Sequence, residues 1–226
     1  MKRFFICIFI LGIFAAFVFV LGWTQIRISP DSVGIVVSKT GGVNEQPVIP
    51  GLFSWHKEFL LPTNAELKKF KINPVNISKS ISGELPSGNL YTSIFNSSDN
   101  FKYDFTYSIG ITLNAEELID LVKSGKVSKQ EDLDLYLEKC GEAIAQLTTD
   151  YILKKAKENP DFRAESIRRE DLTKVIQFYK ECPHVEISVF AITHSVLPDY
   201  SLYKKLQEEV ISLNPTNQPV IQATNE

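Results

Sequence analysis

The feature that most constrains this chain is an uninterrupted apolar run near its amino terminus. Residues 4–22 read FFICIFILGIFAAFVFVLG, nineteen positions without a charge or a side-chain amide. A helix rises about 1.5 Å per residue, so the run covers about 28 Å, close to the thickness of the hydrocarbon core of a bilayer. Trp23 follows directly, where interfacial aromatic residues are enriched. The run therefore predicts a transmembrane helix.

A cleaved signal peptide is the alternative, because Lys2 and Arg3 form a suitable basic start. The apolar part of a signal peptide usually runs only about 7–15 residues. The stretch Gly22-Trp23-Thr24 offers no small-x-small cleavage site, and the residues before Cys7 are too bulky for a lipoprotein acylation site. The sequence therefore favours a retained, single-pass anchor in the cell membrane.

The flanking charges predict how this anchor is oriented. Lys2, Arg3 and the terminal amine precede the run, whereas Arg27 is the one cation close behind it. The positive-inside rule then puts the N-terminus in the cytoplasm and the folded part outside it, in the periplasm of a bacterium.

Composition indicates a folded protein and excludes one class of partner. The chain of 226 residues is 44% apolar and 23% charged, with a net charge of −3. It lacks the basic field that nucleic-acid binding requires. Three cysteines are too few for a disulfide framework. Cys140 and Cys182 could pair in an oxidising compartment, but the burial preference of cysteine favours two unpaired, buried thiols.

The first half of the folded part carries strand signals. Residues 33–39 are short and β-branched, a turn follows at Thr40-Gly41-Gly42, and a further strand is predicted at residues 65–72. Residues 78–100 are rich in Ser, Gly and Asn and predict a loop, with room for one short strand near Tyr91. Apolar and polar positions alternate throughout residues 101–113, which predicts a long, half-buried strand.

The second half changes to the period of helices. Two capping boxes, Asn114 with Glu117 and Ser128 with Glu131, start a short helix and a helix of about 28 residues. A shorter helix at 171–179, a strand at 185–192 and a last helix capped by Asp199 follow. The fold class is therefore α+β. Residues 1–23 form the cytoplasmic stub and anchor, 25–113 a strand-rich lobe with a mainly antiparallel sheet, 114–213 a helix-rich lobe with one strand, and 214–226 a disordered tail.

An ordered set of motifs resembles the SPFH or band 7 domain of stomatins, prohibitins, flotillins and Hfl-type modulators of a membrane protease. The apolar run is followed by Pro30-Asp31-Ser32-Val33-Gly34, then by Val48-Ile49-Pro50-Gly51-Leu52-Phe53 and Leu61-Pro62-Thr63. The alternating strand leads into Asn114-Ala115, where the family often has a proline. A closing strand at Glu186–Val189 leads to Val196-Leu197-Pro198-Asp199. The similarity covers about residues 25–212 and implies an SPFH-like fold after the anchor.

The resemblance implies a scaffold. Such a protein oligomerises laterally with copies of itself or with other membrane proteins, and it organises or modulates partners that include a membrane protease. Ring-forming members continue into a long heptad helix, whereas the last predicted helix here has about 14 residues, fewer than the three to four heptads by which a coiled coil is recognised. Ring assembly by that route is therefore not expected.

No residue pattern in the sequence predicts catalysis, a cofactor or a metal. Cys182 and His184 could share one side of a strand, but His194 would lie about 33 Å further along a continuous strand, and nothing brings His56 near them. No nucleophile elbow, phosphate-binding loop or zinc-protease motif occurs. We therefore expect a protein that is not an enzyme.

Other polar features have ordinary explanations. Lys68-Lys69-x-Lys71 and Arg168-Arg169 could contact anionic lipid, but we interpret them as strand and helix surface. Asn76-Ile77-Ser78 and Asn96-Ser97-Ser98 match glycosylation triplets, which are common by chance. The alternative function is a membrane-anchored extracytoplasmic ligand-binding module with a pocket between the sheet and the long helix.

Overall fold

A computed structural model of the chain describes residues 2–95, 101–159, 161–176, 182 and 185–213. The helices in this part are α1 (Lys2–Gly22), α2 (Gly88–Phe95), α3 (Ala115–Lys123), α4 (Gln130–Glu158), α5 (Arg169–Ile176) and α6 (Tyr200–Leu213). The strands are β1 (Ser32–Ser38), β2 (Gly42–Val43), β3 (Ala65–Lys71), β4 (Val75–Glu84), β5 (Lys102–Leu113) and β6 (Val185–Val196). The fold is α+β, as predicted from the sequence.

Helix α1 is long and apolar enough to cross a membrane. Its apolar side chains are exposed almost along its whole length, so the helix buries nothing in a protein core except near its carboxyl end. A transmembrane helix and a signal sequence share these properties.

The rest of the chain divides into two compact units that interleave along the sequence. The first unit comprises Met1–Val75, Gly110–Cys140 and Glu181–Ser188, and the second comprises Asn76–Ile109, Gly141–Lys180 and Val189–Glu226. Among the described residues, the chain passes between the units within β4, β5, α4 and β6. Each predicted lobe, strand-rich or helix-rich, is one continuous stretch of sequence, whereas each unit combines three separate stretches.

The first unit is built on an antiparallel sheet with the strand order β2-β1-β3. Strand β1 pairs with β3 along its whole length, from Ser32 opposite Lys71 to Ser38 opposite Ala65. Nearly all of β1 is buried, which explains its run of β-branched residues. Gly34 also exchanges two backbone hydrogen bonds with Val48, and this bridge positions the loop that follows.

A second sheet has the strand order β4-β5-β6. The predicted period-two strand is confirmed as β5: its odd-numbered residues from Phe105 to Leu113 are buried, and its even-numbered polar residues are mostly half-exposed. Hydrogen bonds from Thr112 to Glu186 and from Thr193 to Thr106 show that β5 and β6 run antiparallel.

The prediction of a loop over residues 78–100 is wrong for its described part, 78–95. Strand β4 extends to Glu84, because Ile77, Lys79 and Ile81 face one side while serines occupy the other. Tyr91 belongs to helix α2, where it packs against Tyr203 of α6 at 5.5 Å between ring centroids. The serine-rich composition of this stretch resembles that of a loop although its pattern is that of a strand and a helix.

The helix starts agree with the prediction in position but not always in chemistry. Asn114 occupies the N-cap of α3 without a side-chain hydrogen bond. At the start of α4 the carboxylate of Asp132, one residue beyond the predicted Glu131, accepts from the backbone N–H groups of Ser128 and Lys129. Asp199 caps α6 as expected, accepting from the N–H of Leu202 at 2.9 Å.

Candidate functional site

The carboxyl end of α1 is built into the first unit through Trp55. The indole Nε1 of Trp55 donates to the carbonyl of Phe19 at 3.1 Å. Its ring lies so close to Gly22 that a Cβ there would collide with the indole. The backbone continues the connection, since His56 N–H donates to the carbonyl of Gly22 at 2.9 Å. We call residues 19–27 and 52–61 the junction.

Arg27 closes the end of α1 from the other side. Its Nη2 donates to the carbonyl of Leu21 at 2.7 Å, and its guanidinium lies 4.9 Å from the centre of the Phe59 ring. The last carbonyls of a helix have no partner inside the helix and carry partial negative charge. A cation stacked on an aromatic ring therefore both satisfies one of these carbonyls and fastens the helix to the short 3₁₀ turn at Lys57–Leu60.

An aromatic cluster lies beside these polar contacts. The ring of Phe53 stacks on that of Phe19 with 5.8 Å between centroids and 15° between planes. The rings of Phe53 and Trp23 are 6.0 Å apart, and those of Phe19 and Trp23 are 5.6 Å apart. The loop that follows Pro50-Gly51 is thus held against the last turn of α1.

The junction also contains three side chains whose order resembles a hydrolytic triad. Ser54 Oγ is 2.8 Å from His56 Nε2, and His56 Nδ1 is 3.9 Å from a carboxylate oxygen of Glu58. The nearest partner of Nδ1, however, is the amide nitrogen of Asn44 at 3.3 Å, and the amide oxygen of Asn44 is taken by the N–H of Gln46. Nδ1 must then accept, so the imidazole proton is on Nε2 and points at the serine. A general base needs a free Nε2, so this tautomer fastens the loop and does not activate Ser54.

The charge state of His56 agrees with that arrangement. Burial lowers the pKa of His56, and the carboxylate of Glu58 partly offsets this effect. The neutral imidazole is therefore favoured near pH 7. A second ring proton would sit on Nδ1 and face the N–H donors of Asn44, so protonation would weaken the network.

Within the described part of the chain, the structure does not bring together the residues that the sequence suggested as metal ligands. Cys182 is bonded to another cysteine, and His184 lies outside the described residues. The imidazole of His194 lies 3.9 Å from the carboxylate of Asp104, and both are about half-exposed. His56 faces Ser54 and Asn44. Among the described residues no group of three or more His, Cys, Asp and Glu side chains is placed to bind a metal ion.

Cys140 and Cys182 form a disulfide in the first unit, so the interpretation of two unpaired thiols is wrong. The Sγ atoms are 2.09 Å apart, the Cα atoms are 5.8 Å apart, and both residues are buried. The bond joins α4 to the segment before β6, two places separated by 42 residues. Disulfides persist in oxidising compartments and are rare in the cytosol.

The basic clusters and the glycosylation triplets are separate from the junction chemistry. Lys71 extends from β3 toward Asp31 at 3.7 Å, an exposed ion pair, and its N–H donates to Gln130. Arg168 precedes α5, with its N–H bonded to Asp171. Asn76 is exposed on β4, and Asn96 lies outside the described residues.

A groove of about 480 Å³ lies on the strands of the second unit. It is lined by Ser82, Gly83, Glu84, Lys102, Tyr103, Asp104 and Val196. These residues belong to β4, β5 and β6, and none comes from α4, against which the pocket of the alternative function was expected. Its lining mixes hydroxyl, acidic and basic groups.

The junction was not predicted from the sequence. The available signals were the glycine that ends the apolar run, the pair of tryptophans at 23 and 55, and the isolated Arg27. Each is common by itself, and only the packing shows that they meet. Nothing in the sequence indicates that Trp55 packs against the end of a helix more than thirty residues before it.

Comparison with known proteins assigns no family. No family profile matches the chain. An uncharacterised protein from Treponema pallidum (strain Nichols) is 26% identical over 192 residues, which cover 83% of this chain and 64% of the relative. The chain therefore spans less than two thirds of the length of that protein. Because no activity is described for it, the similarity carries no functional argument.

Proposed function

We propose that this chain is a membrane-tethered scaffold of the SPFH or band 7 type. Its folded part lies outside the cytoplasm and gathers copies of itself and other membrane proteins, a membrane protease among the possible partners. The junction is the observation that supports this proposal best, because in it the end of the apolar helix packs against the folded first unit. The ordered motifs described above and the α+β architecture supply the family resemblance.

The packing of the junction favours a retained helix over a cleaved one. Cleavage after residue 22 would remove the carbonyl of Phe19 that Trp55 binds and the carbonyl of Leu21 that Arg27 binds. It would also remove the ring beneath Phe53. A signal peptide is discarded and has no need of such contacts, whereas an anchor that holds a domain at a membrane surface does.

Two independent features support an extracytoplasmic position. One is the excess of cations before the helix, Lys2 and Arg3 against Arg27. The other is the disulfide between Cys140 and Cys182, which is expected in an oxidising compartment. The first acts through charge during insertion and the second through redox chemistry after folding, so the two features are physically independent.

A tether makes lateral assembly possible without a coiled coil. Confinement to one membrane raises the effective concentration of copies, so weak contacts between them suffice. A helix fastened at its end also restricts how each copy can turn, which lowers the entropy lost on association.

The test is the native size of the full chain in its membrane. Crosslinking in intact membranes, followed by mass measurement in a mild detergent, should show oligomers or co-purifying membrane proteins. The intact mass should include residues 1–22. A strict monomer without partners would contradict the scaffold, and a mature protein that begins after Trp23 would contradict the tether.

The groove of the second unit supports one alternative, a membrane-anchored ligand-binding module. A polar small molecule that binds there should raise the unfolding temperature of the protein in a thermal-shift screen. The variant Ser82→Phe, which fills the groove from its exposed edge, should abolish that shift while leaving the unliganded protein folded. Equal shifts in both proteins would place binding elsewhere.

A further inference from the structure

The junction carries a set of apolar side chains that the described part of the chain leaves uncovered. Leu52, Phe53 and Leu61 are exposed by 62%, 61% and 60%, and Ile26 and Trp55 are also exposed. We call these five residues the apolar rim. Single exposed apolar residues are ordinary in soluble proteins, but several large ones in the two short segments at the end of an apolar helix suit a surface that meets another apolar phase.

The contacts of Phe53 place the rim relative to α1. Its ring stacks on Phe19, three positions before the helix ends at Gly22. With a rise of about 1.5 Å per residue, Phe19 lies about 4.5 Å inside the end of the helix. The 21 residues of α1 extend about 31 Å, which matches the hydrocarbon core with little to spare. In a bilayer spanned by α1, Phe53 would therefore lie at the level where acyl chains begin.

The polar neighbours of the rim suit the same level. Trp23 and Trp55 are the residue type enriched at membrane interfaces. Arg27 keeps its charge beside the helix end, and Lys57 is exposed in the following turn, so both can face headgroups. The Glu58 carboxylate, the one acidic group within residues 52–61, is turned toward His56. No acidic side chain in this segment thus opposes contact with a bilayer.

We propose that the apolar rim inserts into the interface of the leaflet that faces the folded part, with Leu52 and Phe53 reaching the acyl chains. The occupant of this surface is the lipid bilayer, because the rim is continuous with a helix of membrane-spanning length. The rim gives the first unit a second attachment beside α1 and so sets its height above the membrane. This inference depends on the retained anchor of the proposed function, but it does not depend on scaffolding.

Spin labels on the full chain in phosphatidylcholine vesicles test the insertion. In a Cys7→Ser background, whose remaining cysteines are bonded to each other, single cysteines replace Leu52 or Phe53. The matched control is Leu135→Cys, a leucine exposed by 52% on α4 in the same unit. Labels at 52 and 53 should collide readily with dissolved oxygen and poorly with a water-soluble nickel chelate. The label at 135 should show the opposite preference.

Each other outcome overturns the inference. Labels at 52 and 53 that respond to nickel as the label at 135 does would place the rim in water. Labels shielded from both relaxants would place it against protein. Two labelled positions guard against one damaging substitution, and non-reducing gels verify that the Cys140–Cys182 bond has formed. A monomeric protein with an inserted rim would contradict the scaffold alone, whereas an oligomer with a wet rim would contradict the insertion alone.

Discussion

Removal of the disulfide between Cys140 and Cys182 tests both the stability of the first unit and the compartment in which it folds. The two cysteines are 42 residues apart. Closing a loop of that length restricts the unfolded chain, and the chain-entropy relation gives about 4 kcal/mol of stabilisation at 25 °C. Measured stabilisations commonly fall below this relation. We therefore expect the double variant Cys140→Ala/Cys182→Ala to lose about 2–4 kcal/mol in the free energy of unfolding.

Denaturant unfolding of the full chain in a mild detergent measures this change. The fluorescence of Trp23 and Trp55 reports on the first unit, because both tryptophans belong to it. Reducing agent should lower the unfolding midpoint of the unaltered protein by a similar amount and leave the double variant unchanged, which separates loss of the bond from loss of packing.

A thiol count on protein taken from its native membrane provides the decisive result. Of the three cysteines, Cys7 alone is free in the structure, so one thiol should react after unfolding without a reductant. Three reactive thiols would mean that the bond does not form in the cell. That result would contradict both the expected stabilisation by the disulfide and the extracytoplasmic position that it supports.

Three further perturbations test contacts within single units. Tyr107 Oη lies 2.8 Å from Thr149 Oγ1, which itself donates to a backbone carbonyl, so the tyrosine is the donor in the pair. Thr149→Val should lower the free energy of unfolding by about 1–3 kcal/mol, because it leaves that buried donor without an acceptor. Adding Tyr107→Phe to this variant should recover part of the loss, which a double-mutant cycle of unfolding free energies measures. Because burial lowers the pKa of His56, the unfolded chain takes up the proton first as the pH falls below about 6.5. Stability should therefore decline as the pH falls from that value to the lower pKa of His56 in the folded state. The variant His56→Gln should flatten this part of a plot of unfolding midpoint against pH. An unchanged slope would contradict the role given to His56. Gly22→Val should displace the indole of Trp55, seen as a shift in its emission, while Gly12→Val, where a Cβ meets nothing within 4 Å, should leave the emission unchanged.

The elements that could be predicted from sequence are those whose burial or capping shows directly in the order of neighbouring residues. Strand β5 alternates apolar and polar residues because one face is buried, and α1 is apolar on every side, which is the pattern of a helix that can cross a membrane. Asp199 caps α6 through a hydrogen bond with a residue only three positions further along the chain. In each case the physical cause lies within a few residues of its effect.

The features that escaped prediction depend on contacts between distant residues. The serines of β4 have little strand propensity, and the strand forms by pairing with β5, with Ile77 buried and Ile81 half-buried. The disulfide needs α4 and the start of β6 to meet, which no spacing between Cys140 and Cys182 reveals. Both cysteines are buried, as the general preference of cysteine predicts. A buried cysteine can be paired or unpaired, however, so this preference does not distinguish a disulfide from two free thiols.

The junction shows why the apolar helix of this chain carries more information than its hydropathy. A run of apolar residues specifies only that a helix can enter a bilayer, and a signal sequence meets that condition equally well. The contacts at its end are different in kind, because Trp55 and Arg27 bind backbone carbonyls that the helix itself leaves open. Such contacts have value to the protein only while the helix stays attached. The proposed tether, and with it the proposed lateral assembly and inserted rim, therefore depends more on the contacts of the last turn of α1 than on the length of the helix.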